Sequence, residues 1–314
     1  MLTGRPADVC GVVGLLLRDP ELEPELGALL VPMIEALDER GPDSSGIAVY
    51  GDTPADTGRA DGRAPIVRLS LGADVPVDWM AVGCALLDLC GTGADLERFG
   101  AGLVVDVPAD ALPDAQTLLA SEWDQVRVLG TGHHVRVLKD TGRPTDTCAR
   151  YGIRAWEGFQ AVAHTRMATE SAVTVLHSHP FVPARDLCVV HNGSFSNYAS
   201  VRRRLEDDGV AFDSDNDSEV AARFLASRLE FGDDLEEATR WVMKEMDGFF
   251  TLVITSAEGM SVVRDAFACK PAVVAETAGY VAVASEYRAL AELPGIADAV
   301  VFEPHPEEVY TWSR

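Results

Sequence analysis

Several features that would assign a sequence to a class of protein at once are missing here. The six cysteines form no CxxC pair, which argues against a zinc ribbon or a redox dithiol. The sequence has no glycine-rich phosphate-binding motif and no cysteine cluster suited to an iron–sulfur centre. No repeat of solenoid period is found. We therefore expect no cofactor and no metal ion in this chain.

Positive charge and long apolar runs are scarce as well. The chain has 26 Lys and Arg against 50 Asp and Glu, and a field of this sign repels phosphate backbones, so we expect no nucleic-acid partner. The apolar run at 80–87 is ended by Asp88 before it reaches membrane-spanning length, so no membrane partner is expected. Arg5 and Asp8 stand where a secretory leader would be apolar. We expect a cytoplasmic protein with free thiols.

The remaining composition is that of a globular protein. With 314 residues, of which 47% are hydrophobic and 24% charged, the chain is long enough for one large domain or two ordinary ones. Apolar spacings of three and four predict helices over 20–40, 112–123, 196–206, 219–231 and 235–246. Short apolar runs predict strands over 12–17, 47–50, 161–165, 187–190 and several segments after 248. This order favours an α+β fold with stacked sheets and outer helices.

Residues 66–158 are harder to interpret. Segments 127–130 and 134–139 have the pattern of a hairpin around a glycine-rich turn. No residue pattern in this block indicates chemistry. We interpret it as an insertion or subdomain packed beside the main core.

Cys10 begins the stretch that the other motifs support. It precedes Gly11 and the predicted strand 12–17, and by itself this position indicates a buried core cysteine. The alternative is that residues 1–9 are a propeptide or leader, so that Cys10 becomes the N-terminal residue and a nucleophile. Its own α-amino group, with a pKa of about 8, would then take the proton of a thiol of pKa about 8.5.

Five further positions carry groups that a thiol nucleophile would need. Asn192 and Gly193 end a predicted strand and could stabilise an oxyanion, although an Asn-Gly turn is the commoner meaning. Arg166 could bind a carboxylate with two hydrogen bonds, or form a surface salt bridge. Asp217 could receive a substrate ammonium group, or cap a helix, or do both. Thr169 could add a hydroxyl to the carboxylate site, or merely end a strand.

Four of the seven histidines fall between 164 and 191. They are His164, His177, His179 and His191. A metal site would need an acidic or cysteine ligand at a familiar companion spacing, and none is present. We favour structural hydrogen bonding for these side chains.

Six stretches in this order resemble the class II glutamine amidotransferases, which are N-terminal-nucleophile hydrolases. The stretches are 10–14, 40–46, 164–169, 177–180, 191–193 and 216–219. The resemblance extends from residue 10 to about 290, and it implies that 10–314 form one amidotransferase domain with an insertion at about 66–158. It implies a four-layer αββα sandwich that binds L-glutamine between two sheets. It also implies that Cys10 attacks the side-chain amide, releases ammonia and leaves a thioester for water to hydrolyse.

The same resemblance implies roles for individual residues. Asn192 and Gly193 correspond to the oxyanion hole. Arg166 and Thr169 correspond to ligands of the glutamine carboxylate, and Asp217, with Gly193, lies near the amino group. Arg40 and Gly41 correspond to part of the loop that holds the nucleophile.

Within the family, the sequence of residues 164–171 and the long insertion after Gly46 are most similar to those of stand-alone amidotransferase subunits. These belong to glutamate synthase-like and N-methylglutamate synthase complexes, whose flavin and iron–sulfur centres lie on separate synthase subunits. Such subunits are therefore the expected partners. Two departures stand out: Glu170 replaces a residue that is often histidine in relatives, and Cys10 is not residue 2.

Two other functions remain open from the sequence. One is a catalytically silent subunit that binds glutamine and regulates a partner, with Cys10 unprocessed. The other is an amidase that acts on a different amide. Arg166 together with Asp217 argues against the second, because the pair calls for an α-amino acid.

Overall fold

A computed structural model describes residues 10–51, 65–91, 95–100, 102–168 and 172–314. The predicted leader, 1–9, lies outside them. The strands in this part of the chain are β1 (Gly11–Leu17), β2 (Ser44–Tyr50), β3 (Ile66–Gly72), β4 (Asp95–Phe99), β5 (Gly102–Pro108), β6 (Arg127–Gly132), β7 (Val135–Thr141), β8 (Gln160–Arg166), β9 (Phe181–Ala184), β10 (Leu187–Phe195), β11 (Gly248–Ser256), β12 (Gly259–Arg264), β13 (Val273–Glu276), β14 (Tyr280–Ala284), β15 (Val300–Phe302) and β16 (Val309–Ser313). The α-helices are α1 (Leu26–Glu35), α2 (Trp79–Cys90), α3 (Leu112–Glu122), α4 (Pro144–Arg150), α5 (Tyr198–Asp207), α6 (Asp217–Phe231) and α7 (Leu235–Glu245).

The strand β1 lies in the middle of a seven-stranded sheet of order β15-β13-β14-β1-β8-β2-β7. Its side chains alternate between two apolar clusters, as the two-residue period of a strand requires. Val13 and Leu15 pack on the side of α1, whereas Val12 and Leu16 pack on the opposite side. All seven residues of β1 are buried, which explains its continuous apolar sequence.

A second sheet of five strands, in the order β16-β12-β11-β10-β9, covers the other face of the first. One apolar cluster contains side chains from both sheets, among them Val162 of β8 and Val190 of β10. Another cluster joins the outer face of the second sheet to α5, α6 and α7. The predicted α+β class is therefore confirmed.

The predicted helix 20–40 is shorter than its apolar pattern suggests. Residues Pro20–Glu25 form a 3-10 segment, and the α-helix begins only at Leu26. Pro24 lies in that first segment, and Pro32 lies inside α1, where its missing N–H removes one helical hydrogen bond. The buried face, with Leu30 and Ile34, still packs on the seven-stranded sheet.

The block 66–158 divides into two parts in the structure. Strands β3 to β6 form a third sheet, of order β4-β5-β3-β6, whose apolar cluster includes α2 and α3. Strand β7 instead pairs with β2 in the seven-stranded sheet. The predicted hairpin of 127–130 with 134–139 is therefore wrong, because its two strands belong to different sheets. In the described residues, no helix is long and apolar enough to cross a membrane.

Replacing Leu16 by alanine tests the packing between the two large sheets. Leu16 is fully buried in the cluster that both sheets share. We expect Leu16→Ala to lower the free energy of unfolding by about 2–5 kcal/mol, measured by urea denaturation. Val300→Ala is the control, since Val300 is 66% exposed, and it should change this free energy by less than about 0.5 kcal/mol. Equal effects of the two substitutions would contradict the packing described here.

Candidate active site

Cys10 lies immediately before β1, at the end of the seven-stranded sheet where β8 also ends. Its Sγ accepts a hydrogen bond from the Met167 N–H at 3.4 Å and lies 3.7 Å from the Met167 carbonyl oxygen. Its own carbonyl oxygen accepts a hydrogen bond from Asn192 Nδ2 at 3.0 Å and one from Arg40 Nε at 3.4 Å. Three residues that are far apart in the sequence thus meet at Cys10.

Strand registers explain this meeting. Gly11 is aligned with Thr165, so the residues after β8 come to lie beside Cys10. In β10, Val190 faces the other sheet, and Asn192, two residues later, points the same way because successive side chains alternate. Asn192 therefore reaches across the space between the sheets to the start of β1.

The loop with Arg40 and Gly41 is pressed against the end of β8. A Cβ atom on Gly41 would lie 2.2 Å from the Thr165 carbonyl carbon, so glycine is required by close backbone approach. Beyond it, Asp43 accepts a hydrogen bond from the Ala168 N–H at 2.8 Å. Arg40 Nη1 also forms an ion pair with Glu286 at 2.5 Å. The loop therefore supports the Cys10 carbonyl and the residues that follow β8.

Gly193 follows Asn192 in β10, at a point where a side chain would clash. Its φ is +152°, and a Cβ atom there would lie 1.9 Å from the Phe249 carbonyl oxygen of β11. The interpretation of residues 192 and 193 as an Asn-Gly turn is wrong, because β10 continues to Phe195.

Asp217 is the first residue of α6 and turns back toward β10. Its carboxylate accepts a hydrogen bond from the Phe195 N–H at 2.8 Å. The helix cap is Asn216, whose side chain accepts a hydrogen bond from the Ser218 N–H at 2.9 Å, so the prediction of a cap at Asp217 is wrong by one residue. Asp217 is therefore available on the strand side of the helix end.

Arg166 is buried at the end of β8, with 5% of its surface exposed. Its Nη1 donates a hydrogen bond to the Ala172 carbonyl at 3.0 Å. A surface salt bridge, the alternative from sequence, is ruled out by this burial. Thr169 lies outside the described residues, as does Glu170.

Burial controls the charge state of the thiol. It raises the pKa of Cys10 above its ordinary value, while the Met167 N–H and the positive charges of Arg166 and Lys270 act in the opposite direction. Burial also lowers the pKa of Arg166. The thiol is therefore the stable form at neutral pH, and a base has to remove its proton before it can act as a nucleophile.

The rings of three of the four clustered histidines lie close together between the sheets and α6, and His164, His179 and His191 are called the histidine cluster below. The rings of His164 and His179 are 4.2 Å apart, and those of His179 and His191 are 6.2 Å apart. His191 Nδ1 bonds to Ser218 Oγ at 2.6 Å, but neither ring nitrogen of His164 or His179 has a hydrogen-bond partner in the described residues. The prediction of structural hydrogen bonding is therefore wrong for His164 and His179.

The fourth histidine lies apart from the histidine cluster. His177 hydrogen-bonds to Asp215 at 2.8 Å and to Thr174 at 2.7 Å, as a structural role predicts. Over the described residues, no group of three or more histidine, cysteine or acidic side chains is placed to hold a metal ion.

Comparison with known proteins identifies the family to which this chain belongs. A sequence profile of a glutamine amidotransferase domain matches residues 164–292. The chain is 43% identical over 306 residues to the glutamine amidotransferase-like protein GlxB of Rhizobium meliloti (strain 1021), and the match covers 98% of this chain and 99% of that protein. The chain belongs to the glutamine amidotransferase family.

Other members of the family share shorter parts or the fold alone. A glutamine–fructose-6-phosphate aminotransferase of Mycolicibacterium paratuberculosis is 36% identical over 139 residues, which are 43% of this amidotransferase chain and 22% of that protein. The structure of the Bacillus subtilis glutamine phosphoribosylpyrophosphate amidotransferase aligns with a TM-score of 0.59 at 17% identity, over 97% of this chain and 49% of that one. The latter likeness concerns the fold.

Several residues of this candidate site have no role that the sequence alone indicates. Asp43 lies inside the stretch 40–46, and the resemblance of that stretch to the family could have indicated a role for it. Met167 acts through its main chain, which no side-chain pattern reveals. Glu286 and Lys270 lie far along the chain, and nothing in the local sequence connects them with Cys10.

The histidine cluster predicts a loss of stability in acid. Burial lowers the pKa of His164 to about 3 and that of His191 to about 4, from an ordinary 6.5. Because the unfolded chain binds these protons near pH 6.5 and the folded chain does not, acidification favours unfolding. The free energy of unfolding should fall by about 2 kcal/mol for each of the two histidines between pH 7 and pH 5.

Urea denaturation at a series of pH values measures this dependence. His179→Phe should make the dependence shallower, since burial lowers the pKa of His179 in the same direction. The exposed His305 provides the control, and His305→Gln should leave the slope as it is. If His179→Phe leaves the pH dependence of the free energy of unfolding unchanged, the histidine cluster is not the source of that dependence.

Proposed function

We propose that this chain is a glutaminase that hydrolyses L-glutamine to glutamate and ammonia through a thioester on Cys10. The observation that carries the proposal is the contact of Asn192 Nδ2 and the Met167 N–H with the two ends of Cys10, at 3.0 Å and 3.4 Å. A thiol next to an amide donor and a buried arginine matches the needs of acyl transfer from an amino acid amide.

The proposed base is the α-amino group of Cys10. In the described residues, Sγ hydrogen-bonds only to the main chain of Met167, and no hydrogen bond joins it to an imidazole or a carboxylate. The raised pKa of the thiol makes a base necessary. An α-amino group on the same residue has a suitable pKa, about 8, and needs no separate positioning. This step requires that residues 1–9 be removed.

Asn192 and Gly193 are proposed to stabilise the oxyanion that forms as Sγ attacks. The clash at Gly193 restricts this position to glycine, which lets a backbone approach the substrate closely. Arg40 and Gly41 are proposed to hold the Cys10 carbonyl, so that the thiol keeps its direction of attack. The layers of helix, two sheets and helices support an αββα N-terminal-nucleophile sandwich with the substrate between its sheets.

Selection of glutamine is proposed to rest on its α-carboxylate and α-ammonium groups. Arg166 would bind the carboxylate, since a buried guanidinium offers paired donors in a fixed plane, and Thr169 would assist it. Asp217 would bind the ammonium group. The side chain of Asp217 is 22% exposed, so a ligand can reach it.

The ammonia is proposed to pass to separate synthase subunits of glutamate synthase or N-methylglutamate synthase type. The match to the glutamine amidotransferase-like protein GlxB, over 98% of this chain and 99% of that protein, supports the amidotransferase part of this proposal. We further propose that these partners carry the flavin and iron–sulfur centres and that the complex is cytoplasmic.

Removal of the nucleophile and of the amide donor tests the chemistry. We expect Cys10→Ala to abolish ammonia release from glutamine, and Asn192→Ala to lower kcat by about 10²–10³-fold through loss of oxyanion stabilisation. Ammonia release is measured together with the intact mass of the active protein. The exposed Cys84 is the control, because Cys84→Ala should keep full activity.

Each result separates the competing functions. Activity in protein that still carries residues 1–9 would exclude the α-amino base. Glutamine binding without turnover by protein that starts at Cys10 would favour the silent regulatory subunit instead. An active Cys10→Ala variant would refute the nucleophile.

Substrate selection is tested at Arg166 and Asp217. Arg166→Ala should raise KM for glutamine by about 10-fold or more, because it leaves a carboxylate without its charged partner. Asp217→Asn should act in the same direction through the ammonium group. Steady-state kinetics on glutamine and on its analogue without the α-amino group measure the effect, and Asp217→Asn should lose the preference for glutamine.

A neighbouring carboxylate supplies the matched control. Asp215 lies two residues before Asp217, and 86% of its side chain is exposed. Asp215→Asn should leave KM unchanged. Equal effects at 215 and 217 would mean that general negative charge, and not a specific contact, attracts the substrate.

A further inference from the structure

Lys139 is a buried amine that the proposed glutaminase does not use. It lies on β7, opposite Gly46 of β2, and only 6% of its surface is exposed. A Cβ atom on Gly46 would lie 3.2 Å from Lys139 Cγ, so the glycine leaves room for the lysine stem. Nζ lies 5.1 Å from the centre of the Phe181 ring. The amine is thus held among apolar groups between β2, β7 and β9.

No hydrogen bond and no ion pair joins Nζ to another side chain or carbonyl in the described part of the chain. Nearby carboxylates have other partners: Glu219 bonds to Arg223 at 3.1 Å, and Asp213 bonds to Arg223 at 2.7 Å. Burial of an ammonium group that lacks a hydrogen-bond acceptor is costly, so Lys139 gives up its proton more readily than an ordinary lysine does. Accordingly, burial lowers the pKa of Lys139 from 10.5 to about 8.

A pocket with about 40 Å³ of free volume opens at Lys139, between the inserted sheet, β9 and α6. Its lining combines apolar side chains, such as Leu129 and Val182, with the charged side chains of Asp213, Glu219 and Arg223. These three charged groups form ion pairs with one another, whereas the Lys139 amine in the same lining has no hydrogen bond in the described residues. A volume of this size suits a ligand of about three to four non-hydrogen atoms.

We propose that this pocket binds a small uncharged aldehyde, which forms a reversible imine with Lys139. The amine nitrogen attacks the carbonyl carbon, the C=N bond forms, and the carbonyl oxygen leaves as water with two protons. A neutral imine places no negative charge beside Asp213 and Glu219, and this favours it over a carboxylate ligand or a carbamate. The inference is independent of the glutaminase activity.

The chain is well suited to a direct test, because it has only three lysines, at 139, 244 and 270. The full chain is treated with propanal and sodium cyanoborohydride at pH 7, and the propyl group is located by peptide mass spectrometry. Because a lower pKa leaves more neutral amine, Lys139 should be alkylated about tenfold or more faster than the exposed Lys244. The rate at Lys139 should also saturate as the propanal concentration rises.

Three further measurements make the result decisive. Lys139→Arg should remove the fast reaction and leave that of Lys244. Val128→Trp, at the 38% exposed mouth of the pocket, should slow only Lys139. Glyoxylate, which is charged, should react more slowly than propanal at this site. A rate at Lys139 that does not exceed that of Lys244, that rises linearly with propanal, or that is higher with glyoxylate would overturn the proposal.

Discussion

The antiparallel pairing of β1 with β8 is the interaction on which the rest of the site depends. It aligns Gly11 with Thr165, and so brings Cys10 to the main chain of Met167. A register shift of one residue would turn every apolar side chain of β1 to the wrong face. Since both faces of β1 are buried, the hydrophobic core itself fixes the position of the candidate nucleophile. The core and the site are consequently not separable, and the loop with Gly41 is pressed against the same pair of strands.

Between the two large sheets, burial has the same effect on several unrelated groups: it favours their neutral forms. The thiol of Cys10, the imidazoles of His164 and His191 and the amine of Lys139 all have pKa values shifted in the direction of the uncharged state. For the thiol this means that a base is needed. For the imidazoles it means that acid acts against the folded state. For the amine it means nucleophilic character in a chain that is otherwise strongly acidic.

The parts of the fold that local pattern predicts are those with a strong and uninterrupted period. Helix α3 and the strands after 248 follow their apolar spacing closely. The errors come from competition between local pattern and long-range contact. The segments 127–130 and 134–139 look like a hairpin, yet β6 pairs with β3 and β7 with β2. The cap of α6 is Asn216, because Asp217 bonds instead to the backbone of β10.

What the sequence by itself determined is the set of chemical groups and their order: a cysteine before a buried strand, an arginine after another, an Asn-Gly pair and an acidic helix start. These follow from residue type and local periodicity, and they were enough to indicate the family. Only the tertiary structure decided which groups meet: Arg40 and Asn192 share the Cys10 carbonyl, Glu286 pairs with Arg40, and Lys139 lies over the Phe181 ring. The physical reason is that strand register and sheet stacking depend on contacts between residues more than a hundred positions apart, and no local pattern contains them.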